Sequence, residues 1–376
     1  MNVIIVGTAY PYRGGIAAFN ERLASEFLAK GDKVQIVTFT LQYPKLLFPG
    51  KTQYSNGEAP KNYQITRIIN SINPISWRKA ARFITKQNPD VVIFSYWTFF
   101  MSYSFGKIAS ILKKKTNTKC IGLIHNMMPH EPSIFDKTVP KYFVNKMDGF
   151  IALSKSVVED IKRFDKNNKP KVFSPHPVYD HYGELINKND ALDYLKLDKS
   201  KRYVLFFGLV RMYKGLDLLL KAFADERIKK MGIKLLVAGE FYDDPKIYYD
   251  IIEEYNIKDN ILINNAFILD NEIKYYFCGA DIIAQPYKSA TQSGVTQIAY
   301  HFNRPMLVTN VGGLPEIVKH NSIGYVVEPN PTDIANALVD FFTNNREEEF
   351  SKQVEVEKEK LSWSVFVEEL KTLLNN

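Results

Sequence analysis

Short apolar runs alternate with longer amphipathic segments along this chain, and the alternation occurs twice. In the first half, runs rich in Val and Ile span residues 3–7, 33–39, 91–95, 120–125, 149–153 and 172–174. After a gap, the rhythm resumes at residues 203–208, 234–238, 261–263, 281–285, 306–309 and 325–327. Such runs, separated by helix-length segments such as residues 216–227, are typical of parallel strands covered by helices on both faces. The sequence therefore predicts an α/β protein with two doubly wound domains.

The boundary between the two domains is predicted in a polar stretch. A chain of 376 residues is longer than one ordinary core supports. We expect a first domain over residues 1–178, a linker over 179–200 and a second domain over 201–360. The remaining residues, 361–376, contain Leu361, Val365 and Leu370 at near-helical spacing beside Trp363 and Phe366. A helix with this apolar face needs a partner surface.

Composition and cysteine usage indicate a cytoplasmic globular protein. Hydrophobic residues make up 45% of the chain and charged residues 24%, which is ordinary for a globular domain. The first residues form a strand-like run and not a basic leader with a long apolar region. No apolar stretch approaches the roughly 20 residues that cross a bilayer. Cys120 and Cys278 lie in or beside apolar runs, so we expect both to be reduced packing residues.

The charge is unevenly distributed between the two halves. Residues 1–171 have a balance of +15, and residues 172–376 have a balance of −7. One explanation is solvated helix faces; another is a basic surface that meets anionic lipid headgroups or a phosphorylated acceptor. Nucleic acid is not expected as a partner, because no nucleic-acid motif accompanies the charge. The second explanation predicts peripheral contact with the inner face of a membrane, through Arg78, Lys79, Arg82, Lys86 and residues 113–115.

Two loops have the composition of phosphate-binding segments. Gly14 and Gly15 follow the first predicted strand and precede a helix, so the backbone can approach an anion closely. Their spacing does not match G-x-G-x-x-G, so a dinucleotide fingerprint is not supported. The second loop places Arg211 and Lys214 after a strand that ends at Gly208 and before another helix. Two such cations suit a diphosphate, although solvated loop cations would give the same spacing.

Two further segments are candidates for contact with a ligand. His125 ends a predicted parallel strand, where open α/β sheets place ligand contacts, but a lone histidine is more often a structural residue. His130 and Glu131 lie close by without the spacing of a zinc site, and we expect no metal. The segment 286–305 is a strand-to-helix connection in which the backbone around Ser293 and Gly294 suits a hydroxylated ligand or a phosphate. An ordinary connection between two elements is the alternative.

Taken together, these segments resemble glycosyltransferase family 4, a group of retaining, nucleotide-sugar-dependent enzymes of the group 1 type with the GT-B fold. The resemblance spans nearly the whole chain and is carried by the Gly14-Gly15 loop, His125-Asn126, Gly208-x-x-Arg211-x-x-Lys214-Gly215, residues 286–305 and the Gly312-Gly-Leu-Pro-Glu-Ile-Val318 segment. It implies two Rossmann-like domains facing across a cleft, with the final helix crossing back to the N-terminal domain. It also implies that the donor binds the C-terminal domain and that most of the acceptor site lies in the N-terminal domain.

The resemblance also implies roles for individual residues. Arg211 and Lys214 match the pair that grips the donor diphosphate, and His125 matches a histidine that positions the transferred sugar. The backbone of Phe267 and Ile268 matches the place where the base is bonded. The remaining donor contacts expected are Gly14, Gly15, Gly208, Thr291, Gln292, Ser293, Gly294 and, for the ribose, Gln297. Neither a metal ion nor a cofactor is expected, because the nucleotide sugar is itself the substrate.

The chain departs from the family pattern at one point. Family members commonly carry two glutamates eight positions apart, and alignment on Arg304-Pro305 puts these positions at Ala290 and Ile298. Either this branch uses Ser, Thr and Gln instead, or the transfer activity is lost.

The predicted function is sugar transfer from a nucleotide-diphosphate donor to a glycan or lipid-linked glycan, in surface polysaccharide or glycoconjugate synthesis. The alternatives are a non-catalytic protein that binds a nucleotide sugar or glycan, and a nucleotide-sugar epimerase or hydrolase. The donor base, the sugar, the acceptor and the linkage have no signature in the sequence.

Overall fold

The structure, a computed structural model, describes residues 1–44, 53–55, 58–127, 139–180, 182–290 and 293–375. The chain divides into two compact units. The first unit comprises Met1–Pro175 together with Trp363–Asn376, and the second comprises His176–Ser362. Residues 179–200, expected as a linker, belong to the second unit and contain its first helix, α6 (Lys188–Tyr194).

The first unit is built on a parallel sheet with seven described strands. Their spatial order is β3-β2-β1-β4-β5-β6-β7. Six of these strands were predicted, and β3 is an additional strand at the edge that pairs in parallel with β2. The strands are β1 (Asn2–Val6), β2 (Lys33–Leu41), β3 (Gln64–Asn70), β4 (Val91–Tyr96), β5 (Lys119–Ile124), β6 (Gly149–Ala152) and β7 (Lys171–Phe173).

Helices cover both faces of this sheet. Side chains alternate along β1, so that Val3 and Ile5 join one core cluster while Ile4 and Val6 join the other. This alternation explains why the strand reads as a continuous apolar run. The described helices of the unit are α1 (Gly15–Ala29), α2 (Pro74–Gln87), α3 (Ser102–Lys115), α4 (Val139–Val144), α5 (Lys155–Phe164) and α15 (Trp363–Asn375).

The second unit repeats the plan with a six-stranded parallel sheet. Its order is β10-β9-β8-β11-β12-β13, and all six strands were predicted. The strands are β8 (Tyr203–Phe207), β9 (Lys234–Ala238), β10 (Ile261–Asn264), β11 (Ile282–Gln285), β12 (Met306–Thr309) and β13 (Gly324–Val327). The helices besides α6 are α7 (Leu216–Ala222), α8 (Glu226–Met231), α9 (Lys246–Glu254), α10 (Ile273–Gly279), α11 (Gly294–His301), α12 (Leu314–Ile317), α13 (Pro331–Thr343) and α14 (Glu347–Lys358).

One predicted helix, residues 216–227, is wrong in its extent. The segment forms two helices, α7 and α8, with a break before Glu226. Asp225 lies in an extended conformation and its side chain accepts a hydrogen bond from the backbone N–H of Arg227, which caps the start of α8. Asp at this position favours a new helix start over continuation of the old helix.

The final helix, α15, packs on the first unit, as the predicted fold class requires. Trp363, Phe366 and Val367 are buried in the core cluster that also contains Phe19 of α1. Two residues of the expected apolar face lie elsewhere: Val365 is exposed, and Leu361 joins a core cluster of the second unit. Among the described helices, none is long and apolar enough to span a bilayer.

Candidate functional site

The loop after β8 places two cations beside a glycine. Gly208 follows the strand with φ +95°, a conformation that favours glycine. Arg211 then caps a short 3-10 helix, Met212–Lys214, and Gly215 (φ +70°) leads into α7. The sequence folds this way because the two glycines accept the left-handed conformations at which the chain turns. The two cations therefore sit on a tight, specified loop.

The ammonium group of Lys214 lies directly against Gly208. A Cβ atom added at Gly208 would be 3.3 Å from Lys214 Nζ. The same ammonium lies 5.6 Å from the centroid of the Tyr287 ring, and the guanidinium of Arg211 lies 4.9 Å from that of Tyr242. Both cations thus pack over aromatic faces, which attract positive charge. Burial is the main cause of a lowered pKa at Lys214.

Neither cation has a carboxylate partner within the part of the chain that the structure describes. Arg211 and Lys214 take part in no ion pair there, whereas the adjacent Lys288 pairs with Asp217 at 2.8 Å. A half-buried ammonium without a counter-ion is costly, and an anionic ligand would relieve that cost. The loop therefore has the chemistry of an anion site.

The loop after β11 packs tightly against residues 208–215, which we call the cationic loop. A Cβ atom at Gly215 would lie only 1.9 Å from the carbonyl oxygen of Pro286. The backbone N–H of Lys288 donates to the carbonyl of Tyr213 at 2.7 Å. These contacts hold the two loops together as one surface.

The start of α11 completes the surface. Gly294 begins the helix, and within the described structure the side chain of the N-cap residue Ser293 makes no hydrogen bond to its first turn, so the first N–H groups are available to a ligand. A Cβ atom at Gly208 would also lie 3.9 Å from Val295 Cγ2, which places this turn beside Lys214. Ser293 Oγ lies 3.3 Å from the hydroxyl of Tyr287. Thr291 and Gln292, which were also predicted as donor contacts, lie outside the described residues.

The other predicted donor contacts of the second unit have mixed environments. Gln297 is buried, and its Oε1 accepts no hydrogen bond from the residues that the structure describes. The side chain of Phe267 is 58% exposed and that of Ile268 is buried, and in the described structure no hydrogen bond involves the backbone of either residue. Ala290 and Ile298, at the positions of the family's glutamates, pack on or within an apolar core cluster. A carboxylate at Ile298 would therefore be buried among apolar side chains in this structure.

In the first unit, Gly14 and Gly15 are exposed at the start of a 15-residue helix. Gly14 has φ +118°, and the position of a Cβ atom there is open space. Its carbonyl accepts the first helical hydrogen bond, from Ala18. The N–H groups of Gly15, Ile16 and Ala17 therefore have no acceptor within the helix and point out of its N-terminal end, where an anion is favoured.

His125 follows β5 and is fixed on two sides. Its Nε2 lies 3.0 Å from the hydroxyl of Ser95, at the end of β4, and its backbone N–H donates to Tyr96. The centroid of its ring lies 4.9 Å from that of the Phe19 ring, and the two rings are nearly perpendicular. Phe19 in turn contacts Trp363 of α15. His130 and Glu131 lie outside the described residues.

The structure thus brings eight of the predicted residues together in two groups. Gly208, Arg211, Lys214, Ser293 and Gly294 share one surface of the second unit, while the Gly14-Gly15 loop and His125 lie at one edge of the first sheet.

Ser95, Tyr242 and Tyr287 contact predicted site residues and were not themselves predicted. Ser95 had a signal in the sequence, because it ends the predicted strand before the one that carries His125. Tyr287 had none, because its contact with Lys214 depends on the packing of two loops.

Two family profiles match the chain. Residues 13–181 match the family described as Glycosyltransferase Family 4, and residues 188–359 match the one described as Glycosyl transferases group 1. An uncharacterized glycosyltransferase of Methanocaldococcus jannaschii is 24% identical over 375 residues, covering 95% of each chain.

Several solved structures superpose on the whole chain. A sucrose-phosphate synthase of Thermosynechococcus elongatus superposes with a TM-score of 0.74 at 16% identity, covering 100% of this chain and 98% of that one. HepE of Anabaena, solved in complex with UDP-glucose, superposes with a TM-score of 0.72 at 12% identity over 100% of both chains.

The chain therefore belongs to the glycosyltransferases that combine a family 4 domain with a group 1 domain, and it has the GT-B fold. The predicted family, fold class and enzyme class are confirmed. The roles of the individual site residues stay predictions.

Proposed function

We propose that this enzyme transfers a sugar, with retention of anomeric configuration, from a nucleotide-diphosphate donor to a glycan or lipid-linked glycan. The observation that supports this most directly is the pair Arg211 and Lys214, held on a tight loop without carboxylate partners within the described structure. The pair lies beside the first turn of α11, so two cations and a set of free N–H groups face the same ligand. A diphosphate carries the charge and the oxygen acceptors that this surface needs.

The proposed reaction breaks the bond between the anomeric carbon and the diphosphate oxygen while the acceptor oxygen bonds to the anomeric carbon. The electron pair of the broken bond stays on the leaving diphosphate, and a diphosphate oxygen takes the acceptor proton. Arg211 and Lys214 stabilise the growing negative charge, and fixed charges of this kind need no reorganisation during the reaction. The backbone of Gly15 and the side chain of His125 are proposed to contact the diphosphate and to position the transferred sugar, respectively. We propose that no metal ion takes part.

We propose a uridine nucleotide as the first donor to test, because the structural neighbour HepE was solved with UDP-glucose. The free backbone groups of Phe267 and Ile268 are proposed to bond the base, and Ser293 and Gln297 to contact the sugar and the ribose. These neutral groups stand in for the two glutamates that this chain lacks, and they bond hydroxyl groups less strongly than a carboxylate does.

Calorimetry with UDP-, GDP-, ADP- and CDP-linked sugars tests the donor site. We expect one nucleotide class to bind, to stabilise the protein against heat, and to lose affinity in Arg211→Ala and Lys214→Ala. If the folded protein binds none of the four classes, the proposal is wrong. Product analysis with the selected donor and a glycan-lipid extract then tests transfer. Donor binding with neither transfer nor hydrolysis would instead favour a protein that only binds nucleotide sugars.

We also propose that the acceptor is held at an anionic membrane surface, in the synthesis of a surface polysaccharide or glycoconjugate. The uneven charge supports this, because the excess of positive charge lies in the first half of the chain, where the acceptor is expected.

A further inference from the structure

The helix α2 of the first unit has an uncompensated basic face. Ala80, Ala81 and Ile84 are buried against the sheet. On the opposite side, the four exposed cations share one face because they recur at helical spacing: Arg78, Lys79, Arg82 and Lys86. In the portion of the chain that the structure describes, none of these four takes part in an ion pair.

The surrounding sequence supplies almost no carboxylates. Between Gln64 and Lys119 the chain contains ten basic residues and one acidic residue, Asp90. Asp90 is already engaged, since its Oδ2 accepts a hydrogen bond of 2.7 Å from the backbone N–H of Asn2. A balance of +9 in this stretch is most of the +15 that residues 1–171 carry. The positive charge is therefore concentrated around α2 and α3.

Two exposed isoleucines lie at the N-terminal end of the same helix. Ile72 is 55% exposed and Ile75 is 61% exposed, which makes Ile75 the most exposed large hydrophobic side chain among the described residues. Two apolar side chains beside four cations that have no ion pair among the described residues are the composition of a surface that enters a lipid interface.

The backbone that carries the isoleucines is firmly held. The side chain of Asn73 accepts a hydrogen bond of 2.9 Å from the N–H of Ile75, and Ser76 and Trp77 both donate to the carbonyl of Asn70. The exposure of Ile72 and Ile75 is thus a property of an ordered helix start. Ordering them at a lipid surface would cost little additional entropy.

We propose that these six residues form a membrane-facing patch that docks on an anionic lipid bilayer: Ile72, Ile75, Arg78, Lys79, Arg82 and Lys86. The isoleucines enter the interface between headgroups and acyl chains, and the cations contact the headgroup phosphates. A soluble polyanion would engage the cations but would give the isoleucines no apolar partner. This inference rests on the proposed membrane partner, and it is independent of whether sugar is transferred.

The isoleucines lie at the same edge of the sheet as His125, which relates the docking to the candidate site. Helix α2 begins directly after β3, so Ile72 and Ile75 lie near the edge of the sheet at which its parallel strands end. His125 follows β5 at the same edge. A bilayer that holds the isoleucines would therefore bring lipid-borne headgroups toward the edge on which the histidine lies.

Vesicle binding without donor or acceptor tests the patch. The wild-type chain is mixed with vesicles of phosphatidylcholine alone or with phosphatidylglycerol added, and binding is measured by sedimentation at low and high salt. We expect binding to the anionic vesicles that weakens with salt. Replacing Arg78, Lys79 and Arg82 by Gln should weaken binding by about fivefold per cation and so by on the order of a hundredfold. The double variant Ile72→Ser, Ile75→Ser should lose about tenfold and keep its salt dependence.

The matched control removes the same charge elsewhere. Lys166, Lys230 and Lys258 are exposed cations outside the patch with no ion pair among the described residues, and the triple Gln variant should bind within about threefold of wild type. Insertion is tested separately by placing an environment-sensitive fluorophore at Ile75→Cys. This labelling is selective because Cys120 and Cys278 are both buried. The emission should shift to the blue with anionic vesicles, whereas a label at Lys258→Cys should not respond.

The proposal is overturned if the wild-type chain ignores anionic vesicles, if the patch and control variants bind alike, or if the label at position 75 stays in water. Binding to soluble polyphosphate but not to vesicles would overturn it as well. Vesicle binding through the patch without any sugar transfer would leave the docking intact and refute the proposed function. Sugar transfer without vesicle binding would refute the docking and leave the proposed transfer reaction intact.

Discussion

The hydroxyl of Ser95 lies 3.0 Å from Nε2 of His125, and this contact joins the ends of two neighbouring strands. Ser95 is fully buried, so its hydroxyl holds the imidazole in one orientation. If His125 positions the transferred sugar, loss of this contact should reduce turnover more than donor affinity.

We therefore predict that Ser95→Ala lowers kcat by about five- to tenfold, the effect of one hydrogen bond of roughly 1 kcal/mol, and leaves the Kd of the donor unchanged. Steady-state kinetics and calorimetry measure the two quantities. Ser104→Ala is the matched control, because Ser104 is also buried and donates to Met101, away from the histidine. Equal loss in both variants would show that Ser95 acts only on stability.

The cationic loop gives the strongest prediction for catalysis. Arg211→Ala and Lys214→Ala should each lower the transfer rate by roughly a hundredfold or more, in the range of other lost charge-stabilising contacts. Single-turnover rates with saturating donor separate this effect from weakened binding. Lys230→Ala removes an exposed cation of the same unit and should leave the rate unchanged. Near-normal turnover in both loop variants would rule out the assigned role of the pair.

The contact between Gly215 and Pro286 predicts a second kind of loss. Alanine at position 215 would combine a strained φ of +70° with a Cβ atom 1.9 Å from the Pro286 carbonyl oxygen, so the two loops must separate. We expect Gly215→Ala to lower the free energy of unfolding by more than about 2 kcal/mol and to abolish donor binding.

Gly232→Ala is the comparison for Gly215→Ala. Gly232 has a similar φ of +64°, but a Cβ atom there would meet only Lys201 Nζ at 3.9 Å. This variant should cost only the strain, about 1 kcal/mol, and keep donor affinity. Urea unfolding and calorimetry check both variants. Equal losses in the free energy of unfolding would show that the close approach to Pro286 does not add to the destabilisation of Gly215→Ala.

The strands that could be predicted are those buried on both faces. The strand Val91–Tyr96, for example, is buried along its whole length and its residues 91–94 are all apolar, because helices cover each face of the sheet. The edge strand Gln64–Asn70 was missed, because polar residues interrupt its apolar ones and only Ile69 is fully buried. Edge strands face water on one side, so their pattern is weaker.

The candidate site was predictable where the backbone itself carries the signal. Gly208, Arg211 and Lys214 follow a strand at a recognisable spacing, and the structure places them on one loop. The rings of Tyr242 and Tyr287 over the two cations were not predictable, because they come from loops after other strands. Such contacts depend on side-chain directions that local sequence does not determine. The apolar surroundings of Ile298 likewise became visible only once α11 was packed.

A partly buried charge cluster in the second unit predicts how stability depends on pH. Lys188 Nζ lies 2.6 Å from Asp281 and 3.3 Å from Glu347, and Arg304 also contacts Glu347 at 3.3 Å. Burial, followed by the charge of Asp281, raises the pKa of Glu347 to about 7. The folded state then binds more protons at this group than the unfolded state does, between the ordinary pKa of 4.5 and about 7. The contribution of Glu347 to stability is therefore complete at low pH and is lost as the pH rises through about 7.

Glu347→Gln should remove this dependence, because the amide stays neutral and still accepts hydrogen bonds from Lys188 and Arg304. The side chain of Glu347 is 35% exposed, so solvent screening reduces the expected effect to about 1 kcal/mol between about pH 5 and pH 8. Urea unfolding at the two pH values measures it, with the exposed neighbour Glu348→Gln as the control. The wild-type chain and the control should lose stability toward the higher pH relative to Glu347→Gln. Parallel pH profiles for all three proteins would show that the protonation of Glu347 is not linked to folding.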